Sequence, residues 1–336
     1  MRQGRDCGGA TASLAGESRP RRPRRTKLSR VSVEANDEEL SQARGTQPRA
    51  LIVTIYGLYA REVGGWLSVS SLIKLMAELD VEEPAVRSSI SRLKRRGILI
   101  AEKVRGTAGY ALSDRARGIL LEGDRRIFER PRAAAEDGWL VAVFSVPEYE
   151  RDKRHQLRSR LSWLGFGTVA SGVWIAPAHV ESQVRDVLAS NRLTEYVDLF
   201  RAEYVAFRPE PDQVASWWDL DGLERTYADF VSSYGPVLAQ WRRRRHDDDA
   251  AAFADYVQVL THWRRLPYLD PGLAPELLPR HWRGSQAADI FFELNERLAP
   301  AAHRHVAEVT GLQPTGTAQS TGTVEPGRTA QSARTA

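Results

Sequence analysis

The sequence holds a single cysteine, Cys7, among 336 residues, so neither a disulfide framework nor a thiolate zinc site can be built. That scarcity fits a reducing compartment, and the cytoplasm is the expected location. Long apolar runs are missing too. None approaches the ~20 residues that cross a bilayer, and no apolar stretch follows Arg21-Arg22 or Arg24-Arg25 to make an export signal of either pair. No glycine-rich phosphate loop, nucleophile elbow or zinc-binding helix motif occurs. His303 and His305, flanking Arg304, fall on different sides of a helix and read as solvated side chains rather than metal ligands. The expectation is a protein that is not an enzyme, with no resident cofactor or metal.

What is present is a chain long enough for two or three domains. Its basic residues exceed its acidic ones by a net +5. Their placement matters more than their total. Residues 1–47 are rich in Gly, Ser, Arg and Glu and lack periodicity, which predicts an unfolded basic extension. Within it Arg21, Arg22, Arg24, Arg25 and Lys27 are uninterrupted by any acid, as in a solvated tail or a nonspecific phosphate-binding arm. The alternative is a start near Thr46-Gln47-Pro48-Arg49. Residues 311–336, dominated by Thr, Gly, Ala, Gln and Ser, read as a second unfolded tail.

From Arg49 the pattern is helical: Leu51, Ile52, Ile55, Leu58 and Tyr59 recur at three-to-four-residue spacing, and Gly64-Gly65 ends the run. A second helix starts from Ser68 or Ser70 as N-cap and turns Leu72, Leu75, Met76 and Leu79 inward. Glu82-Glu83-Pro84 opens a third, with acids favourable at its positive end and proline tolerated in its first turn. That helix buries Val86, Ile90 and Leu93. Its other side carries Arg87, Ser88, Ser91, Arg92, Lys94, Arg95 and Arg96. After Gly97, the runs Ile98-Leu99-Ile100 and Tyr110-Ala111-Leu112 flank Lys103 to Gly109, predicting a hairpin with a basic, glycine-bearing tip that includes Lys103 and Arg105. Ser113 then caps a linking helix through Leu120 and Leu121.

Three short helices and a hairpin are the layout of a winged helix-turn-helix, whose third helix enters the major groove while the hairpin touches the backbone. The chemistry agrees. Serines let a helix approach the groove closely, and arginines bond bidentately to guanine or phosphate. Between Arg87 and Arg105 only Glu102 is acidic. The predicted partner is double-stranded operator DNA, held by residues 48–130. Tyr56 and Trp66, by contrast, read as packing residues.

Residues 137–208 read β-α-β-β-α-β, the ferredoxin-like order: strands over Trp139–Ser145, 167–170, 173–176 and 199–207, with helices over 151–164 and 181–189. Trp139 to Pro147, Leu164-Gly165-Phe166-Gly167 and Gly172-Val173-Trp174-Ile175 resemble the small CRISPR-associated nucleases. Those end their first strand in a metal-binding aspartate, where this chain has Ser145. Glu148 belongs to the following turn, so a metal-dependent nuclease is the lesser alternative, and a noncatalytic protein-binding adaptor another.

Residues 212–310 read as helices. Phe253, Tyr256, Val257, Leu260 and Trp263 form one apolar stripe, opened by Asp247, Asp248 and Asp249; Ala287, Phe291, Leu294 and Leu298 form another. The proline-rich stretch between them, Trp263 to Pro279, predicts an extended path. Its Arg264, Arg265 and Tyr268 have the chemistry to meet an anionic, ring-bearing effector. The fold class expected is therefore α+β multidomain: a winged helix-turn-helix, a ferredoxin-like centre and a helical C-terminal domain.

The run Arg87-Ser88-Ser89-Ile90-Ser91-Arg92-Leu93 with Arg95 and Gly97, then Gly109 to Ser113, then Leu266-Pro267-Tyr268-Leu269-Asp270-Pro271-Gly272-Leu273, resembles the PaaX family of repressors of phenylacetic acid catabolism. The likeness runs from Pro48 to about Val309. It implies a homodimer on a palindromic promoter, released by phenylacetyl-CoA or a related acyl-CoA, with no membrane partner.

Overall fold

The first helix, α1 (Pro48–Leu58), is apolar nearly all round: every residue from Ala50 to Tyr56 is buried. Such a helix must be covered on more than one side, and in this computed structural model, which describes residues 47–311 apart from 206 and 247, two bodies cover it. The basic extension, Cys7, Asp247 and the tail from Gln313 lie outside the described residues.

On one side α1 meets α2 (Val69–Ala77), α3 (Glu83–Arg95) and a three-stranded antiparallel sheet. The strands are β1 (Trp66–Ser68), β2 (Leu99–Val104) and β3 (Thr107–Leu112), in the order β1-β3-β2. Ser68 is the residue that caps α2, its Oγ accepting from the Ser71 amide at 2.9 Å. Gly97, at φ 68°, ends the α3 segment. The hairpin is longer than the sequence predicts. Ladder pairs continue to Val104↔Thr107, so the tip shrinks to Arg105-Gly106 and Lys103 sits on a strand.

On its other side α1 packs against the C-terminal helices. These are α7 (Glu210–Trp217), α8 (Leu220–Arg243), α9 (Asp249–Trp263), the single turn α10 (Leu266–Leu269) and α11 (Gly284–Thr310), following α4 (Asp114–Asp124), α5 (Arg151–Trp163) and α6 (Glu181–Ser190). Leu51, Ile52 and Ile55 belong to the same core as Phe253, Val257, Leu260 and Phe291. Thr54 and Thr261 share a buried hydroxyl–hydroxyl bond of 2.8 Å across that contact. The sequence divides 48–130 from 212–310, but their interiors are continuous. Periodicity reports one buried stripe per helix and says nothing of a second partner.

Between them in the chain, β4 (Trp139–Phe144), β5 (Gly167–Ala170), β6 (Val173–Pro177) and β7 (Val197–Ala202) form a second antiparallel sheet, ordered β5-β6-β4-β7. Leu157 and Leu161 of α5 and Val184 and Leu188 of α6 cover one face. Trp217 of α7 with Leu273 covers part of the other. The last strand begins two residues earlier than expected and stops at Ala202, short of 207. Trp263 to Pro279 is not extended throughout, because Leu266–Leu269 adds a helical turn.

α11 also reaches the N-terminal helices, and this corrects the reading of the two histidines as solvated. His303 sits edge-on to the Tyr59 ring at 4.8 Å, with Nε2 3.4 Å from Glu62, and His305 Nε2 lies 2.6 Å from Glu78. Both are engaged because α11 crosses beneath the segment that carries these acids. Burial disfavours the His303 cation, but hydrogen bonds to Glu62 and the Ala299 carbonyl outweigh it, so the pKa lies above its ordinary value. A raised folded-state pKa stabilises fully below about pH 6.5 and is lost as pH climbs through the folded value. The melting-temperature gap between wild type and His303→Gln is accordingly expected to be widest below pH 6.5 and to narrow as the pH rises above it; a gap constant with pH refutes the contact's role.

Candidate nucleic-acid interface

α3 separates its two chemistries by burial. Val86, Ile90 and Leu93 are 0–3% exposed, fixing the helix's rotation. Ser89 joins them at 7%, whereas Arg87, Ser88, Ser91, Arg92, Lys94, Arg95 and Arg96 are all at the surface. Glu83, one turn earlier, holds Arg87 at 2.6 Å, which leaves Arg92, Lys94 and Arg95 as the more available cations of that face. Lys103 and Arg105 are exposed on the hairpin. All nine residues singled out from sequence are thus solvent-facing.

Sequence reasoning missed a tenth. Arg49, in the first turn of α1, lines an open cleft with Arg92, Arg95 and Arg96. Burial, then the neighbouring charges of Arg96 and Arg92, push its pKa down. Two guanidiniums acting on a third, with Arg95 beside them, form a locally positive surface. The signal was available: Pro48 at the start of a helix places the next residue in the exposed first turn.

The hairpin is held stiffly against this surface. Arg105 and Gly106 both take positive φ, 49° and 81°, the geometry of a two-residue turn matched to strand twist. At Gly109 a Cβ would lie 2.4 Å from both the Leu67 carbonyl and the Trp66 ring, so only glycine lets β1 pair there. Tyr56, fully buried, donates to the Tyr110 carbonyl at 2.9 Å. Ser113 caps α4 through the Ala116 amide and donates to the Gly97 carbonyl at 2.7 Å, joining the end of α3 to the start of α4.

The three effector candidates do not share a large pocket. Arg264 is wholly enclosed, donates to the Ala50 carbonyl at 3.3 Å, and has its pKa pushed down to about 10 by that burial. Tyr268 packs on Trp163 and under Arg126. Arg264 and Tyr268 border a cavity of only about 40 Å³, room for a water or two rather than an acyl group. Arg265 is half-buried.

The motif that carries them has a different centre. Asp270 is 7% exposed, and its Oδ2 accepts from Arg130 at 3.1 Å, Arg132 at 3.0 Å and the Tyr227 hydroxyl at 2.8 Å. Its Oδ1 takes the Gly272 amide at 2.9 Å. Gly272 has φ 68°, and a Cβ there would meet the Pro131 carbonyl at 3.0 Å. Asp270-Pro271-Gly272 is therefore a clamp on the segment that links the N-terminal helices to the middle sheet. In the turn after β4, Glu148 is tied to Arg154 and Arg151, and its pKa is held down by hydrogen bonds from both. Among the described residues no group of three or more His, Cys, Asp or Glu side chains is placed to hold a metal. No described helix is long and apolar enough to cross a membrane.

Three family models match in succession: PaaX-like protein over residues 47–116, PaaX protein central Cas2-like domain over 132–214, and PaaX-like protein C-terminal domain over 218–308. The chain belongs to the PaaX family. Transcriptional repressor PaaX of Escherichia coli (strain K12) is 27% identical over 267 residues, which span 77% of this chain and 83% of that protein. Among solved structures, uncharacterized protein Rv0674 from Mycobacterium tuberculosis is 22% identical, with a TM-score of 0.49 over 76% of this chain and 98% of the other. The first PaaX segment ends inside α4 and the second begins at Arg132, so the Asp270 clamp grips the stretch between two PaaX units.

Removing that carboxylate leaves the buried Arg130 and the partly exposed Arg132 without their counter-charge. Asp270→Ala is expected to cost about 3–5 kcal/mol in urea unfolding, as for other broken buried pairs; a loss below about 1 kcal/mol, the scale of an exposed pair, rejects the clamp.

Proposed function

We propose that the protein is a DNA-binding transcriptional repressor, a regulator rather than an enzyme, acting as a homodimer in the cytoplasm. In this reading α1, α2, α3 and the β2–β3 hairpin are a winged helix-turn-helix, and the middle sheet with α5 and α6 is a ferredoxin-like unit. One observation carries it: α3 keeps its apolar side buried and its guanidinium and hydroxyl side bare, next to a cleft of four arginines. The repressor named among the relatives agrees with that surface.

The physical sequence of events follows from the chemistry. Arg49 and Arg96 serve phosphates, which fix register without reading bases. Arg92 and Arg95, with Ser88 and Ser91 short enough to admit the helix, read base edges in the major groove. Lys103 and Arg105 reach the flanking backbone. Two copies present two such helices, which suits half-sites about 34–36 Å apart or a multiple of that. The effector is an acyl-CoA of the phenylacetyl type, and the regulated genes serve aromatic acid catabolism. Such a ligand relieves repression only by binding more tightly to a dimer geometry that misplaces the two helices.

Titration of a fluorescent promoter fragment tests the assignment. Arg92→Ala with Arg95→Ala should weaken binding by about 1–3 kcal/mol for each arginine that reads a base. Arg49→Ala should weaken promoter and random DNA alike and flatten the plot of log K against log salt by about 0.9, the weight of one phosphate. Wild-type affinity in the double variant, or an unchanged salt slope on losing Arg49, defeats the respective role.

A further inference from the structure

Helix α4 does not end regularly. It passes into a π-helical turn, Arg125–Glu129, and then into Arg130 with a positive φ of 47°. Such turns widen the helix and aim consecutive side chains in directions an α-helix does not allow. Here they aim Arg125 and Arg126 at a cavity of about 110 Å³ where the α4 extension, the Asp270 clamp and the start of α6 meet.

The cavity is cationic. Its walls hold Arg125, Arg126, Arg130 and Arg132 against two carboxylates, Glu122 and Asp270; Asp270 is already committed to Arg130 and Arg132, and Arg125 makes only an exposed pair with Glu129 at 3.3 Å, which an anion can displace. Arg126 donates to the Trp163 carbonyl and faces the Trp163 and Tyr268 rings, and no carboxylate bridges it among the described residues. His179 presents a buried Nδ1 that has no hydrogen-bond partner there. Ser182 and Gln183, from the first turn of α6, complete the rim; no N-cap side chain bonds the amides there, and the one acid of that turn, Glu181, does not line the cavity and is held by Arg185 and Arg201. Burial, with Arg126 and Arg125, lowers the His179 pKa against the pull of Asp137. At about 110 Å³ the space is well below the roughly 300–1,000 Å³ of a whole-ligand pocket, so it suits a charged head group whose remainder leaves through the open mouth.

We propose that this junction cavity binds the phosphate or diphosphate group of a small metabolite, held by Arg125, Arg126, His179 and the first turn of α6. That its occupant is the effector rests on the repressor reading above. The route to DNA is short and rigid: cavity, π-turn, α4, then Ser113, whose hydroxyl holds the Gly97 carbonyl at the end of α3.

Calorimetric titration of the full chain, without DNA, provides the test, using pyrophosphate, coenzyme A and phenylacetate as probes. Ser182 is exposed, and an acid there favours the helix's first turn, so Ser182→Asp should fold normally while repelling an anion. Pyrophosphate and coenzyme A should bind wild type, and phenylacetate, which lacks phosphate, should not. Ser182→Asp and Arg125→Gln should each weaken binding about tenfold or more, the effect of losing one charge-assisted hydrogen bond, with promoter affinity in the absence of ligand unchanged. Failure of wild type to bind either phosphate probe at millimolar concentration, or undiminished binding by both variants, overturns the site. Promoter binding is measured separately, so anion binding without promoter binding would refute the repressor reading and leave the cavity's role standing.

Discussion

The structure depends on the burial of α1 between two bodies. Thr54 would be wasted on solvent in a free-standing N-terminal unit; instead it is buried against α9, where the Thr54–Thr261 pair closes the contact. Arg264 reinforces it from the far side by donating to the Ala50 carbonyl. A guanidinium that deep is tolerated because its planar, weakly hydrated fork loses less on desolvation than an ammonium would. The orientation of α3, and hence of its cations, is set by this packing, since Val86, Ile90 and Leu93 dock into the same core.

A second constraint acts through Asp270. One carboxylate gathers two arginines from the linking segment, a tyrosine from α8 and its own loop amide, so charge fixes the joint beside the apolar contact that Trp139 and Ile175 make with Trp217 and Leu273. Buried polar clusters of this kind specify geometry more than they stabilise it. That suits a joint beside a cationic cavity. The apolar contact alone would slide, whereas the charged cluster has few acceptable arrangements.

Much of this was legible in the chain. The nine cationic and hydroxyl residues from Arg87 to Arg105 are surface residues as expected, because a helix that buries Val86, Ile90 and Leu93 can only present the others outward. Ser68, one of two caps considered, is the cap of α2, and Ser113 caps α4. The shared core was not read, although seven consecutive buried residues in α1 are the mark of a helix covered all round. The importance of Arg125, Arg126, Arg130 and Arg132 was also invisible. They look like an ordinary charged linker, and what distinguishes them is a π-turn and a partner almost 140 residues away, neither of which periodicity encodes. The arginines nearest to that aspartate in sequence, Arg264 and Arg265, drew attention because they adjoin an aromatic, proline-fixed stretch.

The continuity of α1 with α9 has a bearing on inheritance. Many regulators exchange their reading heads as portable cassettes, since a head with its own sealed core tolerates any neighbour. This one has an unsealed flank, so an N-terminal unit acquired by recombination would arrive without a matching α9, and a new C-terminal unit without a matching α1. The facing sides of α1 and α9 therefore tolerate change best as paired substitutions across one seam.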